Sequence, residues 1–555
     1  MRATVPIRRR PTGRTPRRVG RLSAALLALV ALLTACTSST GGQTPGEAAS
    51  AGPPVSGGRL RYALSIAPVC PDPQQASMNM AVYIARQVVD SLTDQDPETG
   101  EIVPWLAESW EVSADAREFT FHLRDGVTFS DGTPLTAESV KRNFDTIVGE
   151  LGAAAPLAGN YLAGYQETRV EDELTATVVF DRPNAQFLQA SSTFSLGIVA
   201  DATLRTPAAE RCQGEVIGSG PFVFDRYVQD QEVVLARREG YAWGSAAFGH
   251  QGEAYLDAID FRIIPESGVR AGSLASGQID ASSDVLPQDE PQILAAGGSV
   301  LTTANPGVVF NLQTNVSRGP LSDARVRQAL QVGINRQEVV DTVLGEHFNP
   351  ATSVLGGKTP GWTDLSHLLS YDPDAAGRLL DEAGWIPGPD GIRVRDGEPL
   401  AVDVVFSAVF NGSQAALELV QQQLRAIGVD LRLRLVTPAE SAEIDANGDY
   451  DTYYYNSTRA DPDVLRLQFS STLTNRNHRE PDDRLDPVLE QQLAATDEAE
   501  RAELVAEAQR LIIENGWSIP LFELSQAIGV APHVHGLAFE ASARLQFYDT
   551  WISAD

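Results

Sequence analysis

Residues 105–145 read WLAESWEVSADAREFTFHLRDGVTFSDGTPLTAESVKRNFD. Leu106–Trp110 is a short amphipathic piece. Glu118–Arg124 alternates polar and apolar residues with period two, as a half-buried strand does. Asp125–Gly126 and Asp131–Gly132 are tight-turn dipeptides on either side of a strand-like Val127–Phe129. Thr136 occupies a helix N-cap position, and Val140, Phe144 and Ile147 then fall on one helical face. The stretch predicts a compact α+β module and not a catalytic loop.

Working back from it, the first 35 residues form a separate object. Arg8–Arg9–Arg10, Arg14, Arg17–Arg18 and Arg21 make a basic stretch without an acid. Leu22–Leu33 is apolar but shorter than the about 20 residues that cross a bilayer. Leu33–Thr34–Ala35–Cys36 closes the run. The order is that of a secretory signal peptide, exported by the general or the twin-arginine route. Its end resembles a bacterial lipobox, which makes Cys36 the lipid-modified first residue of the mature protein; the alternative is an ordinary signal peptide with a coincidental cysteine. Residues 36–56, rich in Gly, Ser, Thr, Ala and Pro, read as a flexible tether. Cleavage removes eight arginines and leaves an acidic body that anionic lipid repels, so the lipid has to supply the anchor.

The whole chain has 555 residues, which predicts more than one domain, and a formal charge of −30, which argues against nucleic acid as a partner. Cys70 and Cys212 remain in the body. In an exported protein they are predicted to form a disulfide, with two isolated buried thiols as the alternative.

Downstream of Gly57, strands and helices alternate, which predicts an α/β architecture with partly parallel sheets. Expected strands include Arg59–Leu64, Val308–Leu312, Leu400–Phe406 and Tyr450–Asn456; expected helices include Asp323–Ile334, Ala375–Ala383 and Ser413–Ile427. Gly218–Ser219–Gly220–Pro221 invites a phosphate-cradle reading, but the later glycine and the capped helix are missing, so a tight turn entering a strand is expected.

Five stretches then carry a resemblance: residues 106–145, GSGPFVFDRYVQDQEVVLARREGYAWG, DARVRQALQVGINRQEVVDTVL, YDPDAAGRLLDEAGW and SIPLF, in that order along the chain. Together they resemble the extracytoplasmic solute-binding proteins of peptide-type ABC importers, which include dipeptide- and oligopeptide-binding proteins. The resemblance implies a large two-lobed α/β fold of the periplasmic-binding-protein type with an extra subdomain in lobe I. On this sequence it sets lobe I at 57–92, 217–306 and 520–555, the inserted subdomain at 93–216 and lobe II at 307–519. The hinge crossings fall near Asn305–Asn311 and Gly516–Leu521. It further implies a monomeric lipoprotein on the outer face of a bacterial cell membrane. That lipoprotein passes a peptide or peptide-like solute to membrane permease and ATPase subunits.

In the relatives, a lobe II strand leads to an aspartate that holds a peptide's α-amino group. The matching stretch is YDTYYYNSTRADPD, residues 450–463. Aligned on Asp461–Pro462 the acidic position falls on Thr458, and aligned on Tyr450–Asp451 it falls near Ala460; neither is acidic, and Asp461 is the carboxylate left to substitute. The expected ligand set is Tyr453, Tyr455, Asn456, Ser457, Thr458, Arg459 and Asp461, on an edge strand whose free N–H and C=O groups pair with an extended peptide. The alternatives are tyrosines packed on their neighbours, and an Arg459 paired with Asp461 or Asp463.

No catalytic residue, cofactor or metal is expected. Gly-x-Ser-x-Gly, His-Glu-x-x-His and Cys-x-x-Cys patterns are missing, and Gly357–Lys358–Thr359 lacks the earlier glycine of a nucleotide loop. His533 and His535 lack a third ligand nearby. Within the class, an oligosaccharide or a metal chelate is the alternative solute; outside it stand a cell-envelope peptidase and an envelope sensor or adhesin.

Overall fold

The computed structural model describes residues 52–407, 410, 412–481 and 484–553. The expected signal peptide, Cys36 and most of the 36–56 tether lie outside them. Among the described residues no helix is long and apolar enough to cross a membrane.

Two mixed sheets carry the body. The larger has seven strands in the order Ser299–Ala304, Ser525–Val530, Ala281–Ser282, Arg59–Leu64, Ala258–Ile263, Glu232–Arg237, Phe222–Val228, with Arg59–Leu64 parallel to both its neighbours. The smaller has five, in the order Asp430–Val436, Ala401–Ser407, Thr452–Thr458, Gly307–Thr314, Ser518–Phe522. Parallel neighbours cannot be joined by a hairpin, and the helix Ser413–Ala426 makes the crossover between Ala401–Ser407 and Asp430–Val436. It buries Ala416, Leu417, Val420 and Leu424, one helical stripe, against Val402, Val404 and Leu431 of the sheet.

The stretch quoted first forms half of a four-stranded antiparallel sheet, in the order Ala107–Val112, Glu118–Leu123, Thr175–Phe180, Tyr165–Asp172. Along Glu118–Leu123 every second residue is buried, the period read from the sequence. Its Phe119 meets Phe187 edge to face at 5.0 Å, and Phe187 also contacts Phe144 and Phe180. Truncating Phe187 would cost about 3–5 kcal/mol. Val127–Phe129 makes only an isolated bridge from Thr128 to Pro134, because the Asp131–Gly132 turn reverses the chain at once. The module's apolar residues run into those behind the seven-stranded sheet as one continuous core.

The glycine-rich turn is a packing device. A Cβ on Gly218 would stand 1.8 Å from the Val88 carbonyl oxygen, at the end of the helix Asn79–Val88, and Gly220 N–H donates to that oxygen at 3.0 Å. Nearby, a disulfide joins Cys70 to Cys212, and the adjacent Arg211 and Asp72 form a buried ion pair.

The chain changes sheet at two places, side by side. Ser299–Ala304 passes through Asn305–Pro306 into Gly307–Thr314, and Ser518–Phe522 passes through Glu523–Leu524 into Ser525–Val530. Asn305 N–H donates to Leu524 O at 2.7 Å, tying the crossings together. The second change comes after Phe522, not at 519 within Gly516–Leu521, because Ser518–Phe522 pairs along Gly307–Thr314 and so belongs whole to the five-stranded sheet.

Candidate functional site

Thr452–Thr458 obeys the two-residue period of a strand. Tyr454 stacks on Phe310 in the core, with ring centroids 5.0 Å apart. Tyr453 and Tyr455 are therefore sent to the opposite face, where both lie under Arg476 at 5.7 and 5.0 Å from its Cζ. Arg476 is fixed by two hydrogen bonds to Asp445, and Tyr453 Oη lies 2.6 Å from Ser441 Oγ. Burial pushes the Tyr455 phenol well above its ordinary value. The rings are packed on neighbours within their own sheet region. The strand is also the third of five and not an edge, although its pairing with Ala401–Ser407 covers only Thr452 and Tyr453. Asn456 and Ser457 continue it half-buried.

Beyond Ser457 the chain reaches the gap between the two sheet bodies. Thr458, Arg459 and Ala460 face Tyr161, Gln189 and Phe194 of the four-stranded module and Ser542 and Arg544 near the C-terminus, around a cavity of about 20 Å³. That is room for one water. Arg459 is 6% exposed and lays its guanidinium over Tyr161, 4.4 Å from the ring centroid. Arg544, equally buried, gives one N–H to Ser542 O at 3.0 Å. Burial lowers the Arg544 pKa; Glu540 acts against that shift, while the Arg459 charge adds to it. Arg459 Nη1, Arg544 Nε and Gln189 Oε1 are buried without hydrogen-bond partners.

Thr458 ends a relay that passes through the first crossing. Tyr83 Oη donates to Gln526 Oε1 at 2.8 Å, Gln526 Nε2 to Asn305 Oδ1 at 2.7 Å, and Asn305 Nδ2 to Thr458 Oγ1 at 3.0 Å. A Cβ on Gly307, the residue after the crossing, would stand 2.2 Å from Ser457 O. Residue type at the crossing is thus set by the end of the strand beside it.

The acids expected beside Arg459 are engaged elsewhere. Arg501 holds Asp461 by two hydrogen bonds of 2.9 and 2.7 Å, and Arg466 holds Asp463 by two of 2.8 Å. Arg459 pairs with neither, a correction to that alternative. An Asp461 already saturated by Arg501 is also poorly placed to take up an amino group.

Of the seven expected residues, Thr458 and Arg459 line this cavity; the structure adds Tyr161, Gln189 and Arg544 to it. No local pattern marks those three, since they come from segments about 270 to 300 residues and about 85 residues from Arg459 and meet only in the folded chain. The histidine pair separates: His533 Nε2 lies 3.0 Å from Asp280 Oδ1, and His535 packs on Trp551 at 4.3 Å. Elsewhere His347 Nε2 lies 2.9 Å from Glu290 Oε2, with Glu346 close by.

Comparison with known proteins bears on this geometry. Residues 101–477 match the model of the bacterial extracellular solute-binding proteins, family 5 (middle). The chain is 28% identical over 342 residues to the nickel-binding periplasmic protein of Escherichia coli K12, covering 60% of this chain and 63% of that one. It is 26% identical over 468 residues to the probable D,D-dipeptide-binding periplasmic protein DdpA of the same organism, covering 82% and 85%. Among solved structures, NikA of Brucella suis in complex with Fe(III)-EDTA superposes with a TM-score of 0.77 at 23% identity, covering 89% of this chain and 100% of that one. The likeness extends to a two-lobed fold.

Proposed function

The chain belongs to the bacterial extracellular solute-binding proteins, family 5, and on that premise we propose that it captures a peptide or peptide-like solute between its lobes and delivers it to an ABC importer. The observation that carries this reading is the gap itself. Two sheet bodies linked, among the described residues, by two adjacent crossings enclose partnerless polar atoms contributed from both sides. A cavity of about 20 Å³ admits no peptide, so the bodies swing apart about Asn305–Pro306 and Glu523–Leu524 to load, and the solute favours closure through contacts it makes only there. Thr458 and Arg459 meet the solute. Tyr453, Tyr455, Asn456 and Ser457 stiffen the strand that presents them, and Asp461 fixes the turn beyond it.

In this reading lobe I comprises residues 57–92, 217–306 and the segment after Phe522, with 93–216 inserted in it. The protein is a monomer, alters its solute by no chemical step, and is held on the outer face of the membrane by lipid on Cys36. A Cys36→Ser variant should leave the membrane fraction.

A metal chelate or another carboxylate-bearing solute is the second reading. Thr458 and Ala460 are not acids and Asp461 is already paired with Arg501, so ammonium capture has no free carboxylate among these positions. Native mass spectrometry of the purified protein, with release and identification of what it carries, separates the readings. Intact peptides support the first, and a chelate or an organic acid supports the second. Cleavage of an added peptide pool would mean an enzyme and overturn both.

A further inference from the structure

We propose that Arg459 and Arg544 form an anion subsite that takes a carboxylate of the solute as the lobes close; this rests on the binding reading above and names the charge of its ligand. Both guanidinium side chains are more than nine-tenths buried, line one cavity and come from opposite lobes. Each has an N–H with no partner. Among the described residues no carboxylate forms an ion pair with either. Glu540 accepts the backbone N–H of Arg544 at 3.1 Å and the Ser542 hydroxyl, and leaves the Arg544 Nε–H without a partner.

Buried charges in folded proteins are paired or hydrogen-bonded, because an uncompensated one is expensive. Elsewhere in this chain the rule is kept at Arg211, Arg466 and Arg501. Two like charges enclosed together oppose closure until a negative group lies between them. A planar carboxylate has two oxygens to accept from the two forks at once, with Gln189 and Thr458 left to meet the solute's polar atoms. Tyr161 holds the Arg459 plane in place from the facing lobe. The subsite therefore selects a solute that carries at least one carboxylate, and couples its charge to closure.

The test uses the mature protein with three probes: a pool of free-acid di- and tripeptides, the same peptides as C-terminal amides, and Ni(II)-EDTA, with binding measured by calorimetry. Free-acid peptides are expected to bind and their amides to bind about 10- to 100-fold more weakly, the worth of charge-assisted hydrogen bonds. Arg459→Gln and Arg544→Gln are each expected to erase that difference. Binding of Ni(II)-EDTA alone, lost in both variants, would sink the peptide reading and keep the subsite. Amides held as tightly as acids would keep the peptide reading and sink the subsite, and failure of every carboxylate probe to bind would sink both. Circular dichroism and melting of both variants guard against misfolding; should one fail to fold, Arg459→Lys, which keeps the charge but loses the fork, is expected to bind the acid pool with reduced affinity.

Discussion

Arg459 and Asp463 lie four residues apart, both buried, and the protein treats their charges in opposite ways. Asp463 is matched on both oxygens by Arg466 and accepts a further hydrogen bond from Gln492 at 2.5 Å. Arg459 has an aromatic ring beneath it and an N–H with nothing to donate to. The first arrangement is finished within the chain and holds the turn after the strand Thr452–Thr458. The second has no such partner among the described residues, and the proposed subsite supplies it from the solute. The difference teaches where to look for binding. Buried charge alone does not mark a site, whereas buried charge left uncompensated at a seam between lobes does.

The largest effect expected from breaking this contrast is at Asp463. Asp463→Ala strands the Arg466 charge and should cost about 3–5 kcal/mol of stability, measured by denaturant unfolding. A loss below about 1 kcal/mol would mean that the pair is solvated and the contrast is false.

Asp90 sharpens the contrast by a third solution, a buried acid whose charged form burial disfavours. Burial raises its pKa to about 7, against the opposing hydrogen bonds from Trp243 at 2.8 Å and Tyr241 at 3.1 Å. The folded state then holds a proton that the unfolded chain releases near 3.8. This contribution is present in full below that value and is lost as pH rises through about 7, by at most about 4 kcal/mol. Melting curves across this window should show the decline in the wild-type protein and a flatter profile in Asp90→Asn. Parallel profiles would show that Asp90 is ionised in the fold.

Thr458→Ala tests the relay through the first crossing. It removes the acceptor of Asn305 Nδ2 and should cost about 1 kcal/mol of stability, with a larger loss in solute affinity because the same residue lines the gap. Equal small losses in both would confine Thr458 to the relay.

The smallest effect on stability is expected at Arg459 itself. Arg459→Gln gives up a cation–π contact of about 0.5–2 kcal/mol but relieves an unmatched buried charge, so the ligand-free melting temperature should stay level or rise. A fall comparable to that of Asp463→Ala would show Arg459 to be structural.

The fold was legible wherever one short stretch carried its own periodicity. Glu118–Leu123 alternates as read, and Asp372 and Asn335 cap their helices by accepting from Ala375 and Glu338 N–H. No local signal says which sheet Ser518–Phe522 will join, so the second change of sheet falls after Phe522 and not within Gly516–Leu521. The sequence marks Arg459 as a candidate but not its partner. Asp461 and Asp463 stand close to it in sequence, but Arg501 and Arg466, each on a helix, pair with them.

By itself, then, the sequence determined the elements, the alternation that makes the sheets mixed, and the family, because each depends on residues close together in the chain. Only the tertiary structure decided which charges are answered and which are not. Pairing depends on where the fold sets each group: one helical turn lays Arg466 on Asp463 and a separate helix brings Arg501 to Asp461, whereas Arg544 and Tyr161 reach Arg459 only once the two bodies have packed against each other.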